Sequence, residues 1–284
     1  MKLGLVVEGG GMKCAYSAGI LDCFLDDNIT FDYCIGVSAG CANTASYLAG
    51  QKGRNLRFYT QHIHDPEYFG FRQWLKKGDL FNLHYIYGDL TNSDGKDPLD
   101  WPAVLKNPSE FEIAATNAIT GKPEYFDKTA IREDDYRIIM ASCALPAACR
   151  PVVLDSGIPY YDGGASDAIP VKRALDAGCD RVVVLLSKPR TFIKQKEGLR
   201  PFYTLLCCRY PNIIRALNER HLMYRRCQDL MFSLEKEGKA FLFFPDEGMD
   251  MGTYDMDEGA NQALYDIALK HYESRKEALR EFLQ

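Results

Sequence analysis

Three short glycine-punctuated stretches hold the residues best suited to chemistry. In Gly36-Val37-Ser38-Ala39-Gly40 a serine stands between small residues. It follows a strand-like apolar run and precedes an apolar helix. Such a turn is tight enough to push a hydroxyl out of a sheet and to set a helix amino end beside it. The same serine could also be the N-cap of an ordinary βα turn. Gly9-Gly10-Gly11-Met12-Lys13 closes the first apolar run. Consecutive glycines there expose backbone N–H groups at a helix start, an anion nest. A dinucleotide fingerprint fits poorly, because Cys14 stands where the third glycine of G-x-G-x-x-G belongs and no ribose-binding acid closes the second strand. If the two strands are adjacent and parallel, both turns share one sheet edge. The glycine N–H groups then face Ser38, as an oxyanion hole requires.

A serine nucleophile needs a base. The histidines are His62, His64, His84, His221 and His271, and none lies in a glycine-punctuated turn. His221 and His271 fall on amphipathic helices, as surface or packing residues would. The carboxylate in such a turn is Asp162, just after a strand and ahead of Gly163 and Gly164. It could equally be an ordinary turn aspartate. No cysteine pair has C-x-x-C spacing and His62 and His64 lack a partner cluster, so a zinc site has little support.

Taken in order, GGGMK, GVSAG and DGG resemble the three signatures of patatin-like phospholipases, and ASCALPAACRPV together with the stretch from Asp162 through Pro170 to Gly178 is similar to bacterial members. The resemblance covers roughly residues 3–187 well and the basic helical tail more loosely. It implies a Ser–Asp dyad hydrolase acting on acyl esters of lipids, with no metal, no cofactor and no catalytic histidine. Carried over by motif, Ser38 is the nucleophile and Asp162 its base. Gly9, Gly10 and Gly11 form the oxyanion loop, with Lys13, Gly36, Gly40, Gly163 and Gly164 in support. Two departures stand out: Cys14 replaces the usual glycine after the basic residue of the first motif, and that basic residue is Lys13 rather than arginine. Two alternatives stay open. One is an α/β-hydrolase with a Ser–Asp–His triad, disfavoured because only one strand–helix unit precedes the strand of Ser38. The other is a catalytically silent protein that keeps the pocket as a lipid sensor.

The elements that must position these residues follow from periodicity. Lys2 to Glu8 and Phe31 to Val37 read as buried strands, each running into a tight turn and a helix, which points to a parallel sheet in an α/β fold. The expected architecture is the patatin-like three-layer sandwich, with a mostly parallel central sheet and a helical C-terminal third. Residues 110–117 and 122–127 alternate as strands, 136–145 is a helix halted by Pro146, and 151–154 with 158–161 form a hairpin that delivers Asp162. A helix over 170–177, a strand over 181–187, a long helix over about 212–237, a strand over 240–244 and a final helix from about Gly259 complete the series. Thr91 to Pro98, TNSDGKDP, reads as a surface insertion. One domain over 1–284 is the simplest organisation, with a catalytic core over 3–187 and a basic, mainly helical region over 188–284 packed on it.

Composition bounds the setting. The chain has 284 residues, 46% hydrophobic and 26% charged, which excludes disorder, collagen and coiled coil as whole-chain descriptions. No run of about 18 apolar residues exists to span a membrane. The opening lacks the basic stretch and long apolar run of an export signal, and most of the ten cysteines lie in or beside apolar segments. A reduced, cytoplasmic protein is therefore expected. The net charge of −5 argues against general nucleic-acid binding. It hides an asymmetry: residues 188–226 carry ten basic residues against only Glu197 and Glu219, a local +8. Phe192, Phe202, Tyr203, Leu205 and Leu206 are interleaved among them, the basic-plus-apolar mix of peripheral membrane segments. Docking on anionic lipid through Arg190, Lys194 and Lys196 is one expectation; a solvated face of a packed helix over Arg215 to Arg226 is the other.

Overall fold

Leu3–Val7 (β1) and Tyr33–Val37 (β2) are strands in which every residue is buried. Continuous burial is what a parallel strand covered on both faces requires. The two run parallel and adjacent, with Val7 opposite Gly36. The other strands of this computed structural model are Glu110–Asn117 (β3), Pro123–Asp127 (β4), Val152–Val153 (β5), Pro159–Asp162 (β6), Arg181–Leu185 (β7) and Ala240–Phe243 (β8). All residues are described except 71–73, 75–77, 199, 249–251, 253 and 254. The sheet order is β5-β6-β3-β2-β1-β7-β8, with β4 also paired to β3. The run β3-β2-β1-β7-β8 is parallel, while β4, β5 and β6 are antiparallel additions.

Alternation along the central strands divides the core. Leu5, Val7, Cys34, Val183 and Leu185 face one side. Val6, Ile35, Val182 and Val184 face the other. Helices Ala15–Asp26 (α1), Ala39–Leu48 (α2) and the C-terminal Glu258–Leu283 cover the first face. Val171–Asp176 and the far part of the long helix Pro211–Lys236 cover the second. This is the three-layer α/β sandwich with a mostly parallel sheet. The long helix is anchored in both layers. Ile213 and Leu217 join the first core, Tyr224, Met231 and Leu234 the second, and Arg220 lies between these anchors. The C-terminal helix rests against α1 at Gly19, where an added Cβ would meet that of Ala268 at 2.7 Å.

Helix and strand limits lie close to those read from periodicity, but the TNSDGKDP stretch departs from expectation. It is not a plain surface insertion: Thr91 and Asp97 are buried. Asp97 takes two hydrogen bonds from Arg57, at 2.6 and 2.8 Å, and one from His62 at 3.1 Å, while its main-chain carbonyl accepts from Arg54. Burial alone would raise the Asp97 pKa, but these hydrogen bonds and the charges of Arg54 and Arg57 hold it well below the usual carboxylate range. A polar run that reads as solvated is thus the anchor for Arg54–Thr60 (α3). All ten cysteines are free, and eight are buried. Among the described residues, no helix is long and apolar enough to cross a membrane.

Candidate active site

Ser38 sits at the break between β2 and α2 with φ 53° and ψ −136°. A non-glycine residue adopts such a backbone only when its surroundings impose it. The Ser38 N–H donates to Ser142 Oγ at 2.8 Å, and the Ser142 hydroxyl donates to the Ala114 carbonyl at 2.7 Å. The close approach of α2 to β1 does the rest: a Cβ on Gly40 would lie 2.6 Å from the carbonyl oxygens of both Val7 and Glu8. Gly36 is pressed in the same way against Cys41. Ser38 occupies the N-cap position of α2, but its hydroxyl makes no cap hydrogen bond there.

Asp162 ends β6. Register brings it to Ser38, since Val37 lies opposite Ala114 and the next residue of β3, Ala115, lies opposite Asp162. Its main chain is held by the Ala144 carbonyl at 2.8 Å and by the Thr116 hydroxyl at 2.8 Å. Oδ1 accepts the Gly164 N–H at 2.7 Å, and Gly163 is packed so tightly that a Cβ would lie 2.3 Å from the Ala114 carbonyl. Oδ2 is buried and makes no hydrogen bond of good geometry. Burial raises the Asp162 pKa; the Ser38 hydroxyl, the Arg220 charge, the Gly164 N–H and Lys188 pull against it. The Ser38 hydroxyl thus acts on the Asp162 carboxylate without a hydrogen bond of good geometry between them.

The glycine loop closes the third side. Gly9 lies so close that an added Cβ would be 2.7 Å from the Ser38 Cβ. Its carbonyl accepts the Ser187 hydroxyl at 2.8 Å. Gly10 precedes the short turn Gly11–Cys14, which carries the half-buried Lys13. Cys14 is turned into the core with its thiol on the Glu8 carbonyl, so this departure from the motif fills the layer behind the loop. The Glu8 carboxylate accepts the Ser187 N–H at 2.8 Å and the Tyr224 hydroxyl at 2.8 Å, and pairs with Lys188.

Two cavities meet at Ser38. One is polar, lined by the glycine loop, Asp162, Lys188, Lys194, Glu197 and Arg220. The other is apolar and runs inward between Met12, Phe58, Tyr59, Phe81, Leu83 and Ile86. No histidine is among the residues lining either. His62 is engaged with Asp97, His64 with Glu258 and His271 with Tyr16. Among the described residues, no group of three His, Cys, Asp or Glu side chains is arranged to hold a metal ion.

Ser142, Arg220, Tyr224 and Glu8 were not singled out by sequence reasoning. Each acts across more than 50 residues of chain, and no local spacing marks them. The basic window is also redistributed. Lys188, Lys194 and Arg220 line the polar cavity, Lys194 pairs with Glu197 at 2.7 Å, and Arg190 pairs with Glu235. Arg190 stays more than half exposed in its pair, Lys196 is exposed, and Lys194 is largely covered beside Glu197.

With this geometry the sequence matches agree. The model of the patatin-like phospholipase family matches residues 5–175, a span that includes all three glycine motifs, and the chain belongs to that family. Residues 210–284 match a domain of unknown function, DUF6363. The chain is 32% identical over 190 residues to the uncharacterized protein YjjU of Escherichia coli strain K12. That match takes in 66% of this chain and 52% of that protein, so it spans about half the length of this relative. The crystal structure of VipD from Legionella pneumophila aligns over 95% of this chain and 67% of its own, with a TM-score of 0.41 and 12% identity. A likeness that loose carries no argument about activity.

Proposed function

We propose that this protein hydrolyses carboxylic esters of lipids, in the manner of a phospholipase A or lysophospholipase, through a Ser38–Asp162 dyad. The observation that carries the reading is the meeting, at one strained serine, of a buried carboxylate, a glycine loop and an apolar cavity. Asp162 takes the Ser38 proton as Oγ attacks the ester carbonyl. The N–H groups of Gly9, Gly10 and Gly11, aided by the α2 amino end, receive the oxyanion. The leaving alcohol departs with a proton from Asp162. The same carboxylate then activates the water that splits the acyl-enzyme. The acyl chain lies in the apolar cavity, while the head group stays toward Lys188 and Arg220. The direct test is release of free fatty acid from a panel of diacyl and lysophospholipids, read by mass spectrometry; no release from any member would overturn the reading.

Geometry at the loop gives a second expected result. Gly9→Ala would drive a Cβ into Ser38 and the Val37 carbonyl, at 2.7 and 2.8 Å. Displacing one oxyanion donor costs roughly 10²–10³-fold in kcat. Unchanged kinetics in Gly9→Ala would remove the loop from the mechanism.

Lipid substrates also call for a docking face. Beside the exposed Arg190 and Lys196, the helix Arg200–Leu206 supplies the apolar part of such a face. There Phe202, Leu205 and Leu206 are exposed, Leu205 at 72%, beside exposed Arg200 and Arg209. Phe202 stacks on Trp74 above a groove that shares Leu145, Glu197 and Arg220 with the polar cavity. Vesicles containing phosphatidylglycerol should sediment the protein, those of pure phosphatidylcholine should not, and salt should weaken the effect. Leu205→Ser with Arg209→Glu should lower vesicle hydrolysis and spare a soluble ester. Equal loss on both substrates would sink the docking idea.

A further inference from the structure

The long helix Pro211–Lys236 opens the region matched by a domain of unknown function, and one of its faces meets the site twice. Arg220 Nε donates to the Gly164 carbonyl at 2.7 Å, and the N–H of that same Gly164 holds Asp162 Oδ1 at 2.7 Å. Gly164 is thus pinned on one side by the helix while it fixes the carboxylate on the other. Arg220 is itself aimed by Glu197, which accepts Nη1 at 2.9 Å. One turn further on, Tyr224 lies on the same helical face. Its hydroxyl donates to Glu8, whose carboxylate also takes Lys188 and the Ser187 N–H, and Ser187 in turn holds the Gly9 carbonyl. The turn that carries Asp162 and the loop that faces Ser38 are therefore braced by two residues four apart on one helix. The helix keeps this position because Ile213 and Leu217 are buried in one core layer and Met231 and Leu234 in the other.

We propose that Arg220 and Tyr224 are positioning residues for the Ser38–Asp162 chemistry, so that the 210–284 region is a working part of the active site and the whole of 1–284 acts as one unit. This rests on the dyad reading above. Arg220 does two things at once. It fixes the rotamer of Asp162 through Gly164, and its charge favours the ionised carboxylate that must accept the Ser38 proton. The charged and titratable groups facing Asp162 are Arg220 from the long helix, Lys188 from the β7 exit and Ser38 from the elbow, with Glu8, Lys194 and Glu197 behind them. The thiols of Cys14 and Cys143 feel the same carboxylate, but burial pushes both up and keeps them neutral. Removing Arg220 takes away a cation that opposes the effect of burial, so the base should ionise only at higher pH.

The experiment compares Arg220→Met, Arg220→Lys and Tyr224→Phe with wild type, using a soluble p-nitrophenyl ester across pH, with thermal melts as the control for folding. Arg220→Met should lose about 10- to 100-fold in kcat, the scale of a misplaced catalytic group, with KM little changed. The acid limb of its rate profile should move to higher pH. Arg220→Lys keeps the charge and loses the planar fork, so its acid limb should return toward wild type while kcat recovers only in part. Tyr224→Phe should lower kcat without moving the acid limb, because it removes a brace and no charge. A folded Arg220→Met with wild-type kcat and an unshifted limb overturns the proposal. Should Arg220→Met fail to fold, Arg220→Lys decides: a wild-type kcat there, with Tyr224→Phe also unchanged, overturns it equally. If instead Asp162→Asn keeps full activity, the dyad reading itself has failed, a result distinct from any of these.

Discussion

A Ser38→Ala protein should melt with the wild type and yet lose about 10⁶-fold in kcat on a soluble ester, the scale seen when a serine nucleophile is removed. The two halves of this expectation have separate grounds. The Ser38 hydroxyl makes no cap hydrogen bond, and the residue's main chain is fixed through Ser142, Gly36 and Gly40, none of which needs the oxygen. Strain at φ 53° is imposed from outside and persists with alanine. Covalent labelling by a fluorophosphonate should vanish in the same variant. Labelling that persists in a folded Ser38→Ala would show that another serine is the nucleophile. A wild-type protein that neither labels nor turns over any ester would favour the silent lipid-binding alternative.

How far the site is legible in the sequence depends on how local its causes are. The elbow and the glycine loop are readable because each is a short apolar run that breaks at glycines, and such breaks have few structural meanings. That the two face each other follows once β1 and β2 are taken as adjacent, and Val7 opposite Gly36 is that pairing. Asp162 required the third motif, because its route to Ser38 passes through the register of β3 with two neighbours. The bracing groups were out of reach. Ser142 reaches Ser38 across 104 residues and Lys188 reaches Glu8 across 180. A window with a local charge of +8 says nothing about which cations are spent on distant carboxylates. Lys188 on Glu8 and Arg220 on the Gly164 carbonyl lie in that window, and nothing local sets them apart from the exposed Lys196 and Arg200. The buried Asp97 in TNSDGKDP is the same failure with the opposite sign: a polar sequence is solvated unless the fold brings it partners, and α3 brings two arginines.

The Asp162→Asn variant should separate activity from stability. Loss of a positioned base costs roughly 10²–10⁴-fold in kcat. Asparagine keeps an oxygen to accept the Gly164 N–H, so the turn should survive. Its thermal stability at neutral pH should equal or exceed that of wild type. The sign follows from linkage. Burial raises the Asp162 pKa above that of an aspartate in the unfolded chain, so the native state binds the proton more tightly. Between the ordinary and the raised value, stability falls as pH rises, and at neutral pH the ionised carboxylate works against the fold. The neutral amide of the variant removes that burden at every pH. Wild type and variant should thus have similar melting temperatures in acid, below the ordinary aspartate range, and diverge in favour of the variant as pH rises through the raised value. Wild-type activity should fall as acid protonates the same group, so the loss of rate and the closing of the stability gap should occupy one pH window. An Asp162→Asn protein that is both inactive and markedly less stable at neutral pH would make this carboxylate a structural anchor of the Gly163-Gly164 turn and leave Ser38 in need of another base.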